Sequence, residues 1–185
     1  MNFSIQPLLQ NKIAIIQPLQ ESDFERLFAV ACDPLIWEQH PNKNRYKRDV
    51  FETFFKGAIE SEGAFLIVDN VTNEVAGCTR FYDYNQDKNL ILIGYTFYAK
   101  KFWGSGMNNL VKTSMLDYIF TYLNTVHFHI GATNFRSQVA IGRLNAIKIL
   151  ELNVAYYGEP EAVNNVYEIK KENWIAFRAG LKDLR

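Results

Sequence analysis

Three β-rich runs, joined by short polar turns, limit the folds open to this 185-residue chain more than any other feature. They cover residues 64–70, 75–84 and 90–98, so only a few residues separate one run from the next. Connections this short join antiparallel neighbours, because a parallel pair needs a crossover of a dozen or more residues. The sequence therefore predicts a sheet with an antiparallel meander at its centre.

Strand and helix patterns alternate around this meander. Further strands are predicted at 13–19, 125–132, 148–157 and 163–170. Helices are predicted at 49–61, 105–123 and 135–144. Another helix opens at a predicted capping box, Ser22-Asp23-Phe24-Glu25, and ends before Pro34. This order predicts an α+β fold, with a mixed, mostly antiparallel central sheet of about seven strands and helices on both faces.

Composition limits the class of protein. Apolar residues make up 48% of the chain and no linker or repeat divides it, which predicts a single domain over residues 1–185. Twenty basic and twenty acidic residues cancel, so we expect no general binding of nucleic acid. The chain shows neither a signal-like start nor an apolar run of about 18 residues, so we expect a cytoplasmic protein without membrane contact. Cys32 and Cys78 are expected to be free thiols in the core.

The segment that bears chemistry is 93–109, IGYTFYAKKFWGSGMNN, where a strand, a glycine loop and a helix follow one another. Glycines let the backbone approach a ligand, and the first N–H groups of the helix would point at an anion, as in a phosphate cradle. A P-loop needs a glycine directly before Lys-Thr, but Val111 precedes Lys112. A dinucleotide fingerprint needs a third glycine where Asn109 stands, within a parallel unit. Neither of these two cradles is expected.

Two motifs carry a resemblance to a known family. Trp103-Gly104-Ser105-Gly106, after IGYTFYAKKF, resembles the acyl-CoA-binding motif of the GNAT superfamily of N-acetyltransferases, in the form of its RimJ/RimL-like branch. Residues 134–146, NFRSQVAIGRLNA, are similar to the same branch's Asn-x-x-Ser-x-x-Ala-x-x-Lys-Leu-Gly-Phe/Ala element. The resemblance spans nearly the whole chain. It implies an enzyme that transfers the acetyl group of acetyl-CoA directly to a primary amine of a protein N-terminus or a small molecule, without metal and in some relatives as a homodimer.

The resemblance also implies roles for individual residues. The strand before the loop is expected to splay from its neighbour and to pair with pantetheine through the main chain of Phe97, Tyr98 and Ala99. The pyrophosphate would lie against the main chain of Gly104, Ser105, Gly106, Met107 and Asn108. Asn134 would contact pantetheine, cap the following helix, or do both. Ser137 is the candidate proton donor to the departing CoA thiolate.

The residue that accepts the amine's proton is left open. The resemblance implies a glutamate base where this chain has Leu92, and a tyrosine proton donor to the CoA thiolate where it has Ile141. His40 is the favoured candidate, with Glu38, Asp83 and His129 as alternatives. Because both usual positions are apolar, a CoA-binding or regulatory module with weak or no turnover is the alternative function, and an unrelated α+β ligand-binding protein is a third. His127 and His129 lack further ligands for zinc, so no metal site is expected.

Aromatic residues make up 15% of the chain, more than a minimal core needs. Those not assigned to helix faces are predicted to wall an acceptor pocket without strong charge: Trp37, Phe81, Tyr82, Tyr84, Tyr95, Phe97, Tyr98 and Trp103. Within this set Trp37, Tyr82 and Tyr84 are the predicted substrate-binding residues. Four basic residues between Asn42 and Arg48 form either a solvated loop or an anion contact. The zero net charge argues against a polyamine acceptor.

Overall fold

Eight strands form one mixed sheet in the computed structural model, which describes residues 3–156 and 161–182. The strands are β1 (Leu9–Gln10), β2 (Ala14–Pro18), β3 (Ala64–Asp69), β4 (Val75–Asn85), β5 (Leu90–Tyr98), β6 (Thr125–Gly131), β7 (Ile147–Val154) and β8 (Ala162–Lys170). Their order is β1-β2-β3-β4-β5-β6-β8-β7, and only β5 and β6 pair in parallel. The predicted α+β sheet is confirmed, with two-residue β1 as an added strand. The end of the predicted strand 148–157 lies outside the described residues.

Helices cover both faces of this sheet. They are α1 (Phe24–Ala31), α2 (Arg48–Glu60), α3 (Met107–Ile119), α4 (Phe135–Gly142) and α5 (Lys171–Lys182). Residues of α1 and α2 share one apolar core with Leu66 and Phe97 of the sheet. Residues of α3, α4 and α5 share the other core with Phe65, Phe81 and Phe128. Within the described residues, no helix is both long and apolar enough to cross a bilayer.

Three local details differ from the sequence predictions. The capping box before α1 forms between Gln20 and Asp23, upstream of the predicted one, because the Gln20 N–H donates to the buried Asp23 carboxylate at 3.0 Å. Helix α5 was not predicted, although Trp174 and Phe177 have helical spacing; the Trp174 indole donates to Asp117 at 2.8 Å. Cys78 is buried, but Cys32 is exposed at the end of α1, so the prediction of a core thiol at Cys32 is wrong.

A β-bulge in β5 changes which side chains share a face of the sheet. Cys78 pairs with Phe97 and Arg80 with Gly94, so β5 carries one extra residue opposite β4, and Tyr95 adopts a φ of 52°. The alternation of side chains between the two faces of the sheet therefore shifts by one residue at the bulge. The Ile93 and Thr96 side chains consequently both face α3, which a regular strand would not allow.

The sheet opens beyond a short junction between β5 and β6. The two strands pair only from Leu90 to Leu92 and from Thr125 to His127. Both strands continue past that point, β5 to Tyr98 and β6 to Gly131, without pairing to each other. The expected splaying of β5 from its neighbour is therefore present in the structure.

Candidate active site

A cleft of about 650 Å³ occupies the opening between β5 and β6. Its walls come from β5, the loop after β5, α3, β6, α4 and the segment from Ile36 to Arg45. A volume of this size lies in the range of small-molecule and cofactor sites. The cleft has two ends. We name the ends after the ligands that the sequence predicts there: residues 97–109 and α4 form the donor end, and the aromatic and basic residues around Trp37 and Tyr82 form the acceptor end.

The glycine loop at the donor end is open to a ligand. Gly104 and Gly106 have φ angles of 72° and 84°, which favour glycine, and a Cβ added at either would meet no atom within 4 Å. Gly106 is the N-cap of α3, so the N–H groups of Asn108 and its neighbours lie in a first turn that has no intrahelical acceptors. This helix start has the open space and the donors that a phosphate needs.

Ser105 and Met107 offer only their main chain to this cradle. The Ser105 hydroxyl donates to the Phe102 carbonyl at 2.7 Å and accepts from the Met107 N–H at 3.2 Å. The Met107 side chain is buried in the core on the α3 face. The helix begins two residues later than predicted, because both glycines adopt left-handed conformations before it.

The end of β5 fits the predicted pantetheine contact at only one of its three residues. The Phe97 carbonyl points at Gly77 of β4, and the Ala99 N–H donates to the Ala76 carbonyl at 2.8 Å. Since N–H and C=O groups alternate along a strand, those of Tyr98 face the cleft. The main chain of Phe97 and Ala99 is thus directed to β4, which corrects the prediction for these two residues. The Tyr98 carbonyl accepts from the Trp103 indole at 3.0 Å.

Helix α4 forms the opposite wall of the donor end. Asn134 is its N-cap, and its side-chain oxygen accepts from the Ser137 N–H at 3.2 Å. Asn134 and Ser137 both line the cleft. The Arg136 guanidinium lies 4.0 Å from the Trp103 ring centre, a cation–π contact that joins this helix to the loop after β5.

Aromatic side chains wall the acceptor end, as predicted for part of the set. Tyr82 and Tyr95 lie 4.9 Å apart, and Tyr156 packs edge-on against both. Trp37 is buried beside Phe97 and also lines the cleft. Tyr156 was not predicted to belong to this wall, because it follows β7 and is distant in sequence from Trp37 and Tyr82.

Tyr84 does not reach this pocket, which corrects its predicted role. A second bulge, between Tyr82 and Asn85, adds a residue to β4, and Asp83 adopts a φ of 49° there. Tyr84 consequently turns to the opposite face and packs edge-on against Phe3 at 5.5 Å. Phe81 also lies on that face, against Phe65.

His40 lies in the cleft wall but is poorly placed to accept a proton. The Asn42 N–H donates to its Nδ1 at 2.9 Å, so the neutral ring carries its proton on Nε2. Burial, followed by the charge of Arg45, holds the pKa of His40 well below its usual value. Its geometry therefore does not support the predicted role of general base.

The other candidate bases are no better placed. His129 lines the cleft and is 2.7 Å from the Tyr156 hydroxyl, and burial, with a smaller effect of His127, lowers its pKa to about 4. Such a weak base is neutral at pH 7 but takes up a proton unfavourably. Glu38 is exposed, and neither Glu38 nor Asp83 lines the cleft.

The four basic residues between Asn42 and Arg48 do not share one environment: some are in solvent, and one is buried in the cleft wall. Lys43 and Lys47 are exposed, and Arg48 forms a bidentate ion pair with Glu25 at 2.7 and 2.8 Å. Arg45 is instead buried at the acceptor end, 4.7 Å from the Phe54 ring centre.

Among the described residues that line the cleft, basic side chains outnumber acidic ones, although the whole chain has no net charge. The cationic residues among those that line it are Arg45, Lys112, Arg136 and Arg143. No described residue of the lining is Asp or Glu. This wall suits an anionic ligand more than a polycation.

Lys112 is a second residue of the cleft lining that was not predicted from the sequence. It was considered only as a P-loop lysine, yet it is buried on α3 and lines the cleft. Its Nζ donates to the Thr79 hydroxyl at 2.7 Å and to the Thr96 hydroxyl at 2.6 Å. Burial lowers the pKa of Lys112 to about 7.

The histidines of β6 bond to other side chains. His127 is 3.0 Å from the Glu168 carboxylate of β8, and His129 pairs with Tyr156. Within residues 3–156 and 161–182, no group of three or more His, Cys, Asp or Glu could hold a metal ion.

Comparisons with known proteins agree with this architecture. The acetyltransferase (GNAT) domain model matches residues 14–146. No curated protein matches the sequence. Among solved structures, a GCN5-related N-acetyltransferase from Brucella melitensis superposes with a TM-score of 0.81 at 15% identity, over 98% of this chain and 89% of that one.

Two structures from Vibrio cholerae are also similar. One is named as a candidate ribosomal-protein-serine acetyltransferase, with a TM-score of 0.70, 14% identity and coverage of 91% and 99% of the two chains. The other is spermidine N-acetyltransferase in complex with CoA and spermine, with a TM-score of 0.68, 15% identity and coverage of 89% and 99%. At these identities the similarity shows the fold alone.

The fold and the domain match together define an acyltransferase. The chain belongs to the GNAT acetyltransferase domain family, because the matched residues make up most of its length.

Proposed function

We propose that this protein is an acetyl-CoA-dependent N-acetyltransferase of the RimJ/RimL-like kind, which transfers the acetyl group directly to a primary amine. The observation that carries the proposal is the glycine cradle at the start of α3, with open space above Gly104 and Gly106 beside the unpaired edge of β5. We further propose that residues 1–185 form a single domain that works in the cytoplasm, and that the protein can form a homodimer.

The donor end fits CoA in charge and in shape. The pyrophosphate would accept from the main chain of Gly106 and Asn108 at the positive end of the α3 dipole. Pantetheine would pair with the cleft-facing main chain of Tyr98, as an added strand does. Arg136 and Arg143 lie in the same cleft lining and favour the phosphate charge. Asn134 and Ser137 would face pantetheine and the thioester from α4.

The acceptor would enter between Trp37, Tyr82 and Tyr156. A flat apolar wall with the buried guanidinium of Arg45 favours a monoamine whose remainder is neutral or anionic, such as a protein N-terminus or an amino acid derivative. A polyamine would bring a second positive charge toward Arg45 and is disfavoured.

Ser137 is the proposed proton donor to the CoA thiolate. It lies in the first turn of α4 and lines the cleft, with its N–H held by the Asn134 cap. If this role is correct, Ser137→Ala lowers kcat and leaves the affinity for acetyl-CoA unchanged. An unchanged kcat across the pH range would contradict it.

The proposed function is tested first by binding. A ligand that binds only the folded state at 100 times its Kd adds about 2.7 kcal/mol of stability, or about 5–10 °C in Tm for a domain of this size. We expect acetyl-CoA to produce such a shift and acetate to produce none. Absence of a shift at millimolar acetyl-CoA would contradict the proposal.

Turnover is tested by release of free CoA thiol with a panel of amines. The panel comprises peptides with a free N-terminus, lysine, spermidine, an amino sugar and an aminoglycoside, with mass spectrometry to identify the acetylated product. Binding without thiol release for any acceptor would favour the alternative of a CoA-binding module without turnover.

A further inference from the structure

Lys112 is a buried cation for which the proposed donor site has no use. It lies on α3 beyond the first turn, and its side chain points away from the helix start toward the β4–β5 pair. Only 2% of its surface is exposed. Burying an ammonium group without a partner of opposite charge is costly, so its presence requires an explanation.

The polar contacts of Lys112 are hydroxyl groups rather than carboxylates. Its Nζ donates to Thr79 on β4 and to Thr96 on β5, and the Thr96 hydroxyl donates to the Gly94 carbonyl at 3.2 Å. No Asp or Glu within the described residues forms an ion pair with it. Two N–H bonds use both protons of a neutral amine, so neutral Lys112 keeps one lone pair.

The β5 bulge places this group at the opening of the sheet. Without the extra residue at Tyr95, Thr96 would face α1 and α2 instead of α3. Thr96 and Lys112 both line the cleft, next to the unpaired edge of β5 along which the donor is proposed to lie. Lys112 therefore lines the cleft beside Thr96, on the stretch of β5 that does not pair with β6.

Burial lowers the pKa of Lys112 to about 7, and the titratable groups around it do not offset this shift. Cys78 of β4 is the titratable group that acts on it, and burial raises the pKa of that thiol to about 11, so it contributes no negative charge. From β5, the hydroxyl of Tyr98 has its pKa raised by burial and is also neutral. Arg80 and Arg45 add positive charge near Cys78, and on α3 itself Asp117 bonds to Trp174 and Arg178.

We infer that Lys112 is the general base of this enzyme: its neutral Nζ, held by Thr79 and Thr96 in the cleft wall, accepts the proton of the attacking amine. The inference rests on the proposed N-acetyltransferase function. It supplies the base that is missing at Leu92, the position at which relatives are expected to carry a glutamate.

The step balances in atoms and electrons. The amine nitrogen forms a bond to the thioester carbonyl carbon, the carbon–sulfur bond breaks, and its electron pair leaves with sulfur as the CoA thiolate. The proton of the amine passes to the Nζ lone pair. The resulting Lys112 ammonium then gives its proton to solvent, which restores the neutral lysine. Ser137, the proposed donor to the thiolate, regains the proton that it gives up from solvent.

The test compares wild type with Lys112→Met and Lys112→Arg, and with Lys56→Met as a control. Met keeps most of the length of the lysine side chain but has no basic nitrogen, and Arg keeps a positive charge but does not deprotonate at neutral pH. Lys56 is exposed on α2, outside the cleft. Each variant is assayed from pH 5.5 to 9 with acetyl-CoA and the best acceptor of the panel, and its thermal shift with acetyl-CoA establishes that it folds and binds the donor.

We expect both Lys112 variants to lose about 10²–10⁴-fold in kcat, the usual range for a general base. In wild type, kcat should fall as the pH decreases below neutrality, and the residual kcat of the Lys112 variants should not show this fall. Lys56→Met should match wild type. A Lys112→Arg variant with wild-type kcat would overturn the inference, because it would show that only a cation is needed there. A Lys112→Met variant that keeps both kcat and its fall below neutral pH would overturn it as well.

The pKa of Lys112 can also be measured directly by NMR, without any substrate. In protein labelled with ¹³C-lysine, the Cε signal that is absent from Lys112→Met is followed through a pH titration. A midpoint near neutrality supports the assignment, whereas a midpoint near 10 contradicts it. If wild type shows no turnover with any amine, the proposed function and this inference both fail; if wild type turns over and the variants do too, only this inference fails.

Discussion

The donor end of the cleft offers main-chain groups from one continuous segment, 97–108, whereas the acceptor end offers side chains from segments far apart in the sequence. Trp37 and Arg45 come from the segment between α1 and α2, Tyr82 from β4, and Tyr156 from the residues after β7. A main-chain cradle depends on backbone conformation and survives most side-chain changes. A pocket of side chains depends on which residues the sheet brings together, so single substitutions can alter its selectivity.

The largest effect is expected from Gly106→Glu, which changes the donor end. A side chain at φ 84° is strained, and a carboxylate there would repel the pyrophosphate. We expect acetyl-CoA to bind at least about 100-fold more weakly, a loss of about 2.7 kcal/mol, with the thermal shift almost abolished.

Two controls separate charge from strain in this experiment. Gly106→Ala carries the strain without the charge, and Gly180→Glu carries the charge at an open position on α5. Retention of the acetyl-CoA shift in Gly106→Glu would show that the cradle does not hold the pyrophosphate.

A smaller change in selectivity is expected from Arg45→Met at the acceptor end. Removing a buried cation near the aromatic wall lowers the electrostatic cost of a second positive charge on the acceptor. We expect kcat/KM for spermidine, relative to a monoamine, to rise about tenfold, with the affinity for acetyl-CoA unchanged. Arg48→Met, in the same loop but outside the cleft lining, should leave that ratio unaltered; equal effects of both variants would contradict a specific role for Arg45.

The effect of Lys112 on stability has a definite sign. In the unfolded chain its pKa is near the ordinary 10.5, and in the folded protein burial lowers it to about 7. Below pH 7 both states are protonated, so the folded state carries the full cost of the buried charge. Between pH 7 and 10.5 the unfolded chain binds more protons, so this cost declines as the pH rises.

Lys112→Met should therefore be more stable than wild type at pH 6. The expected increase in Tm is at least about 2–4 °C, the shift for ~1 kcal/mol in a domain of this size. The difference should narrow toward pH 10. Thermal unfolding of both proteins at pH 6, 8 and 10 checks it, and a pH-independent difference would mean that Lys112 does not titrate in this range.

The smallest effect is expected from a pair of matched tyrosines. Tyr82 faces the acceptor end beside Tyr156, and Tyr84 packs on the opposite face against Phe3. Tyr82→Phe should raise the acceptor KM by about threefold, from loss of one hydroxyl contact. Tyr84→Phe should leave KM unchanged in the same assay, and a rise in its KM instead would restore the original prediction for Tyr84.

The difference between the two ends also explains what the sequence could predict. The meander, the glycine loop and the start of α4 are contiguous patterns, so the elements followed from local rules, whereas the position of the cleft followed from the resemblance to the GNAT superfamily. The two bulges gave no such signal. Tyr95 adopts a positive φ although it has a bulky side chain, because the packing of the sheet imposes that conformation. The bulges turn Tyr84 to the opposite face of the sheet and bring Thr96 to Lys112. The periodicity of the sequence could not predict either result.

The short junction between β5 and β6 has a mechanical consequence. Three residue pairs, from Leu90 to Leu92 and from Thr125 to His127, are all that join the five strands on one side to the three on the other within the sheet. The two parts of the sheet are hydrogen-bonded to each other at one end and separate toward the other end. A ligand that pairs with β5 and touches α4 spans the open end as a replaceable strand. If CoA binds there as proposed, it would bridge the two parts on the side where the sheet does not join them.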